Sequence, residues 1–266
     1  MKKLIILLTV SLIILTSCGS EPSEIKLGML TRLNASEENF GAFMREVEES
    51  LKVKVASHVP IFYDNLSSME AALQSGQVDE LSTYVSVARY MTAKEPRFEV
   101  LKDHSLEFID SFCFALREDE TELAHSLNMA IKDMTADGTL DKLIKEYITE
   151  GNTTAVEIPY KEGLPTVKVA VTGDLPPLDY VSAEGKAAGF NTAVLSEIGK
   201  RLSRNIEPIN IESGARSAAL SSGQVDVVFW AIVPISEIIP DDTDKPDGVI
   251  LTAPYYKDKI VHVKWN

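Results

Sequence analysis

Ala-Ala-Leu-Gln-Ser-Gly-Gln-Val-Asp, residues 71–79, returns as Ala-Ala-Leu-Ser-Ser-Gly-Gln-Val-Asp at residues 218–226, with one substitution. Each copy ends an apolar-periodic segment, turns on a glycine and enters a β-prone run. This pattern predicts a helix, a glycine just past its end, a short loop and a strand. Either one βα unit is used twice for packing, or two similar α/β lobes hold a ligand between them. We favour the second interpretation.

The bulk composition is that of a globular protein. The chain has 266 residues, which is enough for two domains, with 45% hydrophobic and 25% charged residues. The net charge of -14 argues against a nucleic-acid partner, because phosphates need a basic surface.

The N-terminus predicts a lipoprotein signal peptide. Lys2 and Lys3 precede an apolar run at residues 4–15 that is too short to span a bilayer comfortably, and Cys18 follows in a stretch that resembles a bacterial lipobox. We therefore expect cleavage after residue 17, lipidation of Cys18, a polar tether at 18–24 and an extracytoplasmic, membrane-anchored protein. The alternative is an ordinary signal peptide with an incidental cysteine.

Predicted strands and helices alternate along the chain, which favours an α/β fold with largely parallel sheets. An amphipathic pattern at 37–51 predicts a helix, residues 53–56 a strand, and the acidic, proline-bearing residues 236–247 a surface segment. The second cysteine, Cys113, lies in an apolar run and is predicted to be a small buried hydrophobe.

The second half of the chain resembles lobe 1 of the type 2 periplasmic binding proteins, in the amino-acid family of ABC-importer receptors. The matching pieces follow in order: residues 169–171, 176–180, 185–186, 189–190, 219–226 and 254–256. The first half resembles lobe 2 plus the C-terminal helices of that family, through residues 25–30, 112–117, 122–123, Asn128 and 137–140. The resemblance implies two Rossmann-like lobes joined by hinge strands, with a ligand cleft between them.

The family runs lobe 1, lobe 2 and back to lobe 1, whereas this chain places lobe 2 first. That order implies a circular permutation, which is tolerated where the joined ends are close together. The implied division is lobe 2 at 25–111, a hinge strand at 112–118, C-terminal-type helices at 119–150, a linker at 151–165, lobe 1 at 166–253 and a crossover strand at 254–266. Exchange between two molecules is the alternative. We favour a monomer, because one chain contains every element.

In this architecture the ligand lies between the lobes, at loops beyond the carboxyl ends of strands. The candidate ligand-binding residues taken from those loops are Thr31, Arg32, Asn65, Tyr84, Thr172, Asp174, Leu175, Ser213, Arg216, Trp230 and Ala231. The family's carboxylate-binding arginine matches Ile238, its threonine matches Val233 and its ammonium-binding aspartate matches Tyr84. A standard α-amino-acid clamp is therefore not expected.

Four side chains are offered as replacements for that clamp. Arg32 and Arg216 could each bind a carboxylate through two parallel hydrogen bonds. Tyr84 and Trp230 could supply flat surfaces for apolar or cation–π contacts. Solvated surface arginines and a core tryptophan are the alternatives. Asp79 and Asp226, which end the two repeats, are predicted to have a structural turn role.

Three classes of function stay open. The first is a lipid-anchored receptor that captures a small polar ligand, such as an amino acid or a related compound, and delivers it to an ABC permease. The others are a ligand-sensing lipoprotein without transport and a dehydratase-like enzyme on the same fold. We expect no enzyme, cofactor or metal, because no catalytic arrangement is evident and the four histidines (His58, His104, His125, His262) are scattered.

Overall fold

The computed structural model describes residues 24–34, 49, 58–101, 108–235 and 242–266. The predicted signal peptide at 1–17, Cys18, the strand at 53–56, Ile238 and all of the predicted helix at 37–51 except residue 49 lie outside the described residues. No helix in the described part of the chain has the length and apolar character needed to cross a membrane.

The described residues form an alternating series of strands and helices. The strands are β1 (Ile25–Leu30), β2 (His58–Tyr63), β3 (Glu80–Tyr84), β4 (Phe98–Val100), β5 (Ile109–Arg117), β6 (Thr166–Val171), β7 (Asp174–Leu175), β8 (Asp179–Val181), β9 (Ala187–Ala188), β10 (Asn205–Asn210), β11 (Val227–Pro234), β12 (Val249–Leu251) and β13 (Tyr256–Trp265). The helices are α1 (Leu66–Gln74), α2 (Val85–Lys94), α3 (Thr121–Ala136), α4 (Thr139–Leu143), which continues as a π-helical turn (Ile144–Thr149), α5 (Phe190–Leu202) and α6 (Arg216–Ser221), which follows a 3-10 turn (Ser213–Ala215).

Two sheet units of the same design build the fold. In the first unit, β1 lies between β2 and β3 in parallel, and β13 then pairs antiparallel with β3 and β4. In the second unit, β6 lies between β10 and β11 in parallel, and β5 pairs antiparallel with β11 and β12. The predicted α/β class is confirmed, but the sheets are mixed rather than largely parallel, because each unit receives one strand running the other way.

The two antiparallel strands connect the units. Residues 256–259 of β13 pair with 109–112 of β5, and residues 260–263 of β13 continue along β3. β5 leaves the first half of the chain and enters the second unit, while β13 leaves the second half and enters the first unit. Each unit is therefore completed by the other half of the chain.

The nine-residue repeat has the same conformation in both units. Gly76 and Gly223 follow the helix ends, and each has φ 74°, in the left-handed region that glycine adopts without strain. The Asp79 carboxylate accepts the Lys26 N–H at 2.8 Å, and the Asp226 carboxylate accepts the Lys168 N–H at 2.9 Å. The structural turn role predicted for both aspartates is confirmed.

Two clusters of buried apolar side chains fill the space between these sheets and the helices. Cys113 is buried within β5, and burial raises the pKa of its thiol to about 12, so the prediction of a small buried hydrophobe is confirmed. Residues 151–165 pack on the second unit, where the Asn205 side chain donates to the carbonyls of Lys161 and Leu164.

Candidate functional site

The carboxyl ends of β1 and β3 and the middle of β11 meet at a small cavity between the two units. Its volume is about 20 Å³. A space of that size admits one water-sized group, so a larger solute requires the units to move apart. The cavity is lined by Met29, Leu30, Arg32, Ser82, Thr83, Tyr84, Trp230 and Ile260. Three of the predicted site residues, Arg32, Tyr84 and Trp230, are therefore brought together.

Two buried polar atoms at this cavity have no hydrogen-bond partner among the described residues. They are the Thr83 hydroxyl and the Trp230 indole N–H, on side chains that are 6% and 3% exposed. Buried polar groups are nearly always hydrogen-bonded, so two unpartnered polar atoms at one cavity indicate that a ligand, an ion or a water binds there. Both residues stand at the same place relative to the repeat, twelve positions after Ala71 and Ala218 respectively.

A β-bulge accounts for the position of Trp230. β11 runs in register with β5 up to Val228, and the register resumes shifted at Ala231, so Phe229 and Trp230 lie within the irregularity. Bulges redirect a side chain locally and are common beside binding sites. The strand pattern of the sequence carries no signal for this bulge.

A hydrogen-bonded triad, in which Tyr84 and Asp110 are buried and Arg32 is partly exposed, lies on the polar side of the cavity. The Asp110 carboxylate accepts the Tyr84 hydroxyl at 3.0 Å and the Arg32 guanidinium at 3.3 Å. Burial raises the pKa of Tyr84 well above its usual value, and neighbouring Asp110 raises it further. Burial lowers the pKa of Arg32, whereas the negative charge of nearby Asp110 raises it. The net shift of this pKa is upward, so the guanidinium is a permanent cation.

Asp110 was missed by sequence reasoning, although a signal was present. It is the only acid in β5, a strand whose other interior residues are apolar or small, and it is 2% exposed. A carboxylate inside a buried strand needs a cationic or hydrogen-bonding partner, and Arg32 and Tyr84 provide one.

Arg216 connects the two units rather than lying on the surface. Its guanidinium donates to the carbonyls of Ser213 at 3.3 Å, Trp230 at 3.1 Å and, in the other unit, Thr31 at 3.2 Å. It also stacks 4.7 Å from the centre of the Trp230 ring. Complete burial lowers the pKa of Arg216 to about 10, so the group stays charged at neutral pH. The alternative of a solvated surface arginine is wrong.

Acidic side chains form further contacts across the cleft. The Asp174 carboxylate accepts the backbone N–H and hydroxyl of Ser67 at 3.0 and 3.1 Å, which supports the N-terminus of α1. The Asp64 carboxylate accepts the Gly214 N–H at 3.0 Å. These pairs join the start of α1 and the residue Asp64 before it, in the first unit, to β7 and the 3-10 turn of the second unit.

Asp244 is an exception to the predicted surface segment at 236–247, within which Asp242, Lys245 and Asp247 are exposed as expected. Asp244 is 3% exposed, and its carboxylate accepts the backbone N–H of Asn34 at 2.9 Å and of Ile232 at 3.1 Å. Burial raises the pKa of Asp244 to about 6, against the opposing effect of the Arg32 and Arg216 charges. An acidic, proline-bearing sequence concealed this role, because the two N–H partners come from distant parts of the chain.

The other predicted site residues support the cleft without lining the cavity. The Asn65 side chain caps α1 by accepting the Ser68 N–H at 2.8 Å, and the Thr172 hydroxyl donates to buried Asp179 at 2.7 Å. The Thr31 hydroxyl donates to the Tyr63 carbonyl at 3.2 Å. The remaining three, Leu175, Ser213 and Ala231, are almost completely buried.

The histidines are not all scattered, contrary to expectation. The fold places His58 of β2 and His262 of β13 on either side of Glu80 of β3, with the two ring centres 5.4 Å apart. The sequence separation of about 200 residues hides this group, because β13 reaches the first unit only through the strand exchange.

Residues 167–237 match the family model described as bacterial extracellular solute-binding proteins, family 3. The resemblance inferred from the second half of the chain is therefore confirmed for this stretch, and the matched family consists of binding proteins rather than enzymes. No curated protein matches the chain.

Several solved structures match most of the chain at low sequence identity. The GluR0 ligand-binding core in complex with L-glutamate is 14% identical, with 93% of this chain and 86% of that chain covered and a TM-score of 0.44. The GluR0 ligand-binding core from Nostoc punctiforme, also in complex with L-glutamate, is 9% identical, with 91% of this chain and 85% of that chain covered and a TM-score of 0.38. A periplasmic substrate-binding protein of an ABC transporter from Coxiella burnetii is 9% identical, with 90% of this chain and 84% of that chain covered and a TM-score of 0.38.

Proposed function

We propose that the chain is an extracytoplasmic solute-binding protein whose two units close on a small polar ligand and deliver it to an ABC permease. The observation that carries the proposal is the pair of unpartnered polar atoms, Thr83 Oγ1 and Trp230 Nε1, at equivalent positions of the two units and at one cavity. A ligand that bonds to both atoms would hold the units together.

The chemistry of the cavity favours a ligand with acceptor oxygens. The Trp230 indole can only donate a hydrogen bond, and Arg32 contributes a fixed positive charge beside it. The Thr83 hydroxyl can donate or accept. We therefore expect a small compound carrying a carboxylate or similar oxygens, such as an amino acid or a related molecule, held by Arg32 and Trp230.

Movement of the units is part of the proposal. The contacts of Arg216 with Thr31, Asp174 with Ser67, and Asp244 with Asn34 all cross the cleft. They would break when the units part and form again on closure around the ligand, in a hinge motion about β5 and β13.

The domain division and the anchor are also proposals. We propose lobe 2 at 25–111, lobe 1 at 166–253, helices of residues 119–150 on lobe 1, a linker at 151–165, and hinge strands at 112–118 and 254–266. This is the order of a circularly permuted monomer. The exchange of β5 and β13 between the units supports it, since one chain supplies both strands. Cleavage after residue 17 and lipidation of Cys18 would tether the protein to the membrane.

Native mass spectrometry of protein purified from its host would identify a co-purifying ligand, and calorimetry would measure its affinity. We expect Trp230→Phe, which keeps a ring but removes the N–H, to weaken binding about 5- to 150-fold, because leaving the ligand's acceptor without its hydrogen-bond donor costs about 1–3 kcal/mol. Arg32→Ala should weaken it further.

Trp265→Phe is the matched control, because Trp265 packs on Phe98 at the far end of β13. If Trp230→Phe and Arg32→Ala both bind the identified ligand as tightly as Trp265→Phe does, the site is wrong. Uptake of the ligand by vesicles carrying a permease and an ATPase encoded beside the gene, where the host has them, would separate transport from sensing alone.

A further inference from the structure

His58, Glu80 and His262 form a compact group away from the solute cleft. The His262 Nδ1 lies 2.7 Å from a Glu80 carboxylate oxygen, and the His58 Nε2 lies 3.9 Å from the same oxygen. One ligand atom from each of the three residues can be chosen so that all lie within 4.8 Å of one another. The three side chains are about one-sixth exposed, so a small ion can reach them.

The geometry points to a binding site for a divalent transition-metal ion, and we propose that these three residues bind Zn²⁺. Two imidazole nitrogens and one carboxylate oxygen are a donor set that zinc accepts, with water in the fourth position. Tetrahedral coordination at about 2.1 Å places ligand atoms roughly 3.4 Å apart. The two separations from Glu80, 2.7 and 3.9 Å, lie on either side of that value, and the two histidine nitrogens lie within 4.8 Å of each other, so side-chain adjustments of about an ångström bring the set into place.

The position of the site explains what an ion would do there. His58 and Glu80 are the first residues of β2 and β3, respectively. His262 belongs to β13 and lies opposite Ser82 of β3. These strands lie on both sides of β1. A bound ion would tie β2 to β3 and β13 over the amino end of β1, and so fasten the exchanged strand to the first unit.

The site is separate from the solute cavity. None of the three proposed zinc ligands lines that cavity, whose nearest lining residues on these strands are Ser82 and Ile260, two residues from Glu80 and His262 respectively. At about 3.3 Å per residue, the ligands and these lining residues are roughly 7 Å apart along each strand. Zinc binding and solute binding can therefore be tested independently, and neither result decides the other.

The test is calorimetric titration of the full chain, without an affinity tag, with zinc alone. We expect one ion per chain, and a loss of affinity of about tenfold or more in each of His58→Gln, Glu80→Gln and His262→Gln, because each removes one of three protein ligands. His125→Gln is the control, since His125 lies exposed on α3, and it should bind zinc like the parent. Absence of saturable binding, or three variants that bind like the parent, would overturn the proposal.

Two further measurements cover the case in which a variant folds poorly. Zinc should raise the unfolding temperature of the parent, because a ligand that binds only the folded state stabilises it. Cobalt should give the intense visible bands of a four-coordinate site in the parent protein. A parent protein with no thermal shift and only the weak spectrum of hydrated cobalt would show that the three residues are a hydrogen-bonded group and nothing more.

Discussion

The two copies of the repeat are alike where they turn and unlike where their strands end. Asp79 and Asp226 make the same contact, each accepting a lysine backbone N–H at the start of a neighbouring strand. Further along, the residue twelve positions after the first alanine is Thr83 in one unit and Trp230 in the other. The shared portion builds the scaffold, and the divergent portion faces the cavity.

The helices before the two turns differ in the same informative way. Two positions before the repeat the first helix carries Met69 and the second carries Arg216, and both are completely buried. Met69 packs in an apolar core, whereas Arg216 holds three carbonyls, one of them in the other unit. One helix of the pair is thus used for packing and the other for joining the units.

Replacing Arg216 by methionine would give the second unit the residue that the first unit has at the equivalent position, Met69. We expect this substitution to have the largest effect on stability. The change removes three hydrogen bonds and leaves buried Asp244 with less compensating charge. We expect a loss of about 3–5 kcal/mol in the free energy of unfolding, measured by urea denaturation. Arg89→Met, on the exposed face of α2, should stay within about 0.5 kcal/mol of the parent. Equal stability of the two variants would show that Arg216 does not join the units.

Asp244 makes a pH-dependent contribution to the free energy of unfolding. Among the described residues of the first unit, no side chain makes an equivalent contribution. Its folded pKa of about 6 lies above the ordinary value of 3.8, so the folded state binds the proton more tightly. The contribution of Asp244 to stability is therefore fully present below pH 3.8 and is lost as the pH rises through 6. Each tenfold difference in proton affinity between the folded and unfolded states is worth about 1.4 kcal/mol, so the loss should amount to a few kcal/mol.

The measurement is the free energy of unfolding of the parent and of Asp244→Asn across that pH range. The difference between the two should change between pH 3.8 and 6 and be constant at higher pH. A difference that is constant throughout would mean that Asp244 titrates normally.

The shared turn contacts can be tested by a paired substitution. Asp79→Ala and Asp226→Ala each remove one charged acceptor from a backbone N–H, which should cost about 1–2 kcal/mol of unfolding free energy. We expect Asp226→Ala to cost slightly more, because Arg117 lies 3.8 Å from that carboxylate. Chemical denaturation of both variants checks this, and a large cost at one site alone would break the equivalence.

The two turn glycines should give the smallest effect and the closest agreement. Gly76 and Gly223 share φ 74°, and an added Cβ meets nothing within 4 Å at either position. Gly76→Ala and Gly223→Ala should therefore each lose about 1 kcal/mol through backbone strain alone. Thermal unfolding of the two variants should give matching shifts, and a clear difference would point to an unequal environment.

Local features are accessible from the sequence. The pattern of residues 25–30 and 166–171 predicts β1 and β6 with the observed bounds, and the repeat predicts both helix ends. Arg32 and Tyr84 are candidates because they lie at or after the ends of predicted strands, and Trp230 because it lies in the strand that follows the second repeat. The cavity brings the three together. Periodicity and turn chemistry act over a few residues, so they can be read locally.

Other features depend on contacts between distant residues. Asp244 meets Asn34 across 210 positions, and His262 meets Glu80 across 182. The bulge that positions Trp230 arises where β11 pairs with β5, whose own sequence lies more than 100 residues earlier. No local pattern encodes such partners, which explains why the sequence alone places the acid on the surface and the histidines apart.

The exchange of β5 and β13 has a consequence for the order in which the chain can fold. β3 is complete at Tyr84, but its antiparallel neighbour begins at Tyr256, so the edge of β3 stays unpaired until the last strand emerges. Pairings of such long sequence separation slow folding and leave strand edges open to aggregation meanwhile. A ribosome-bound or partly exported chain ending before β13 would therefore carry an incomplete first unit, and a chaperone that shields that edge would raise the yield of native protein.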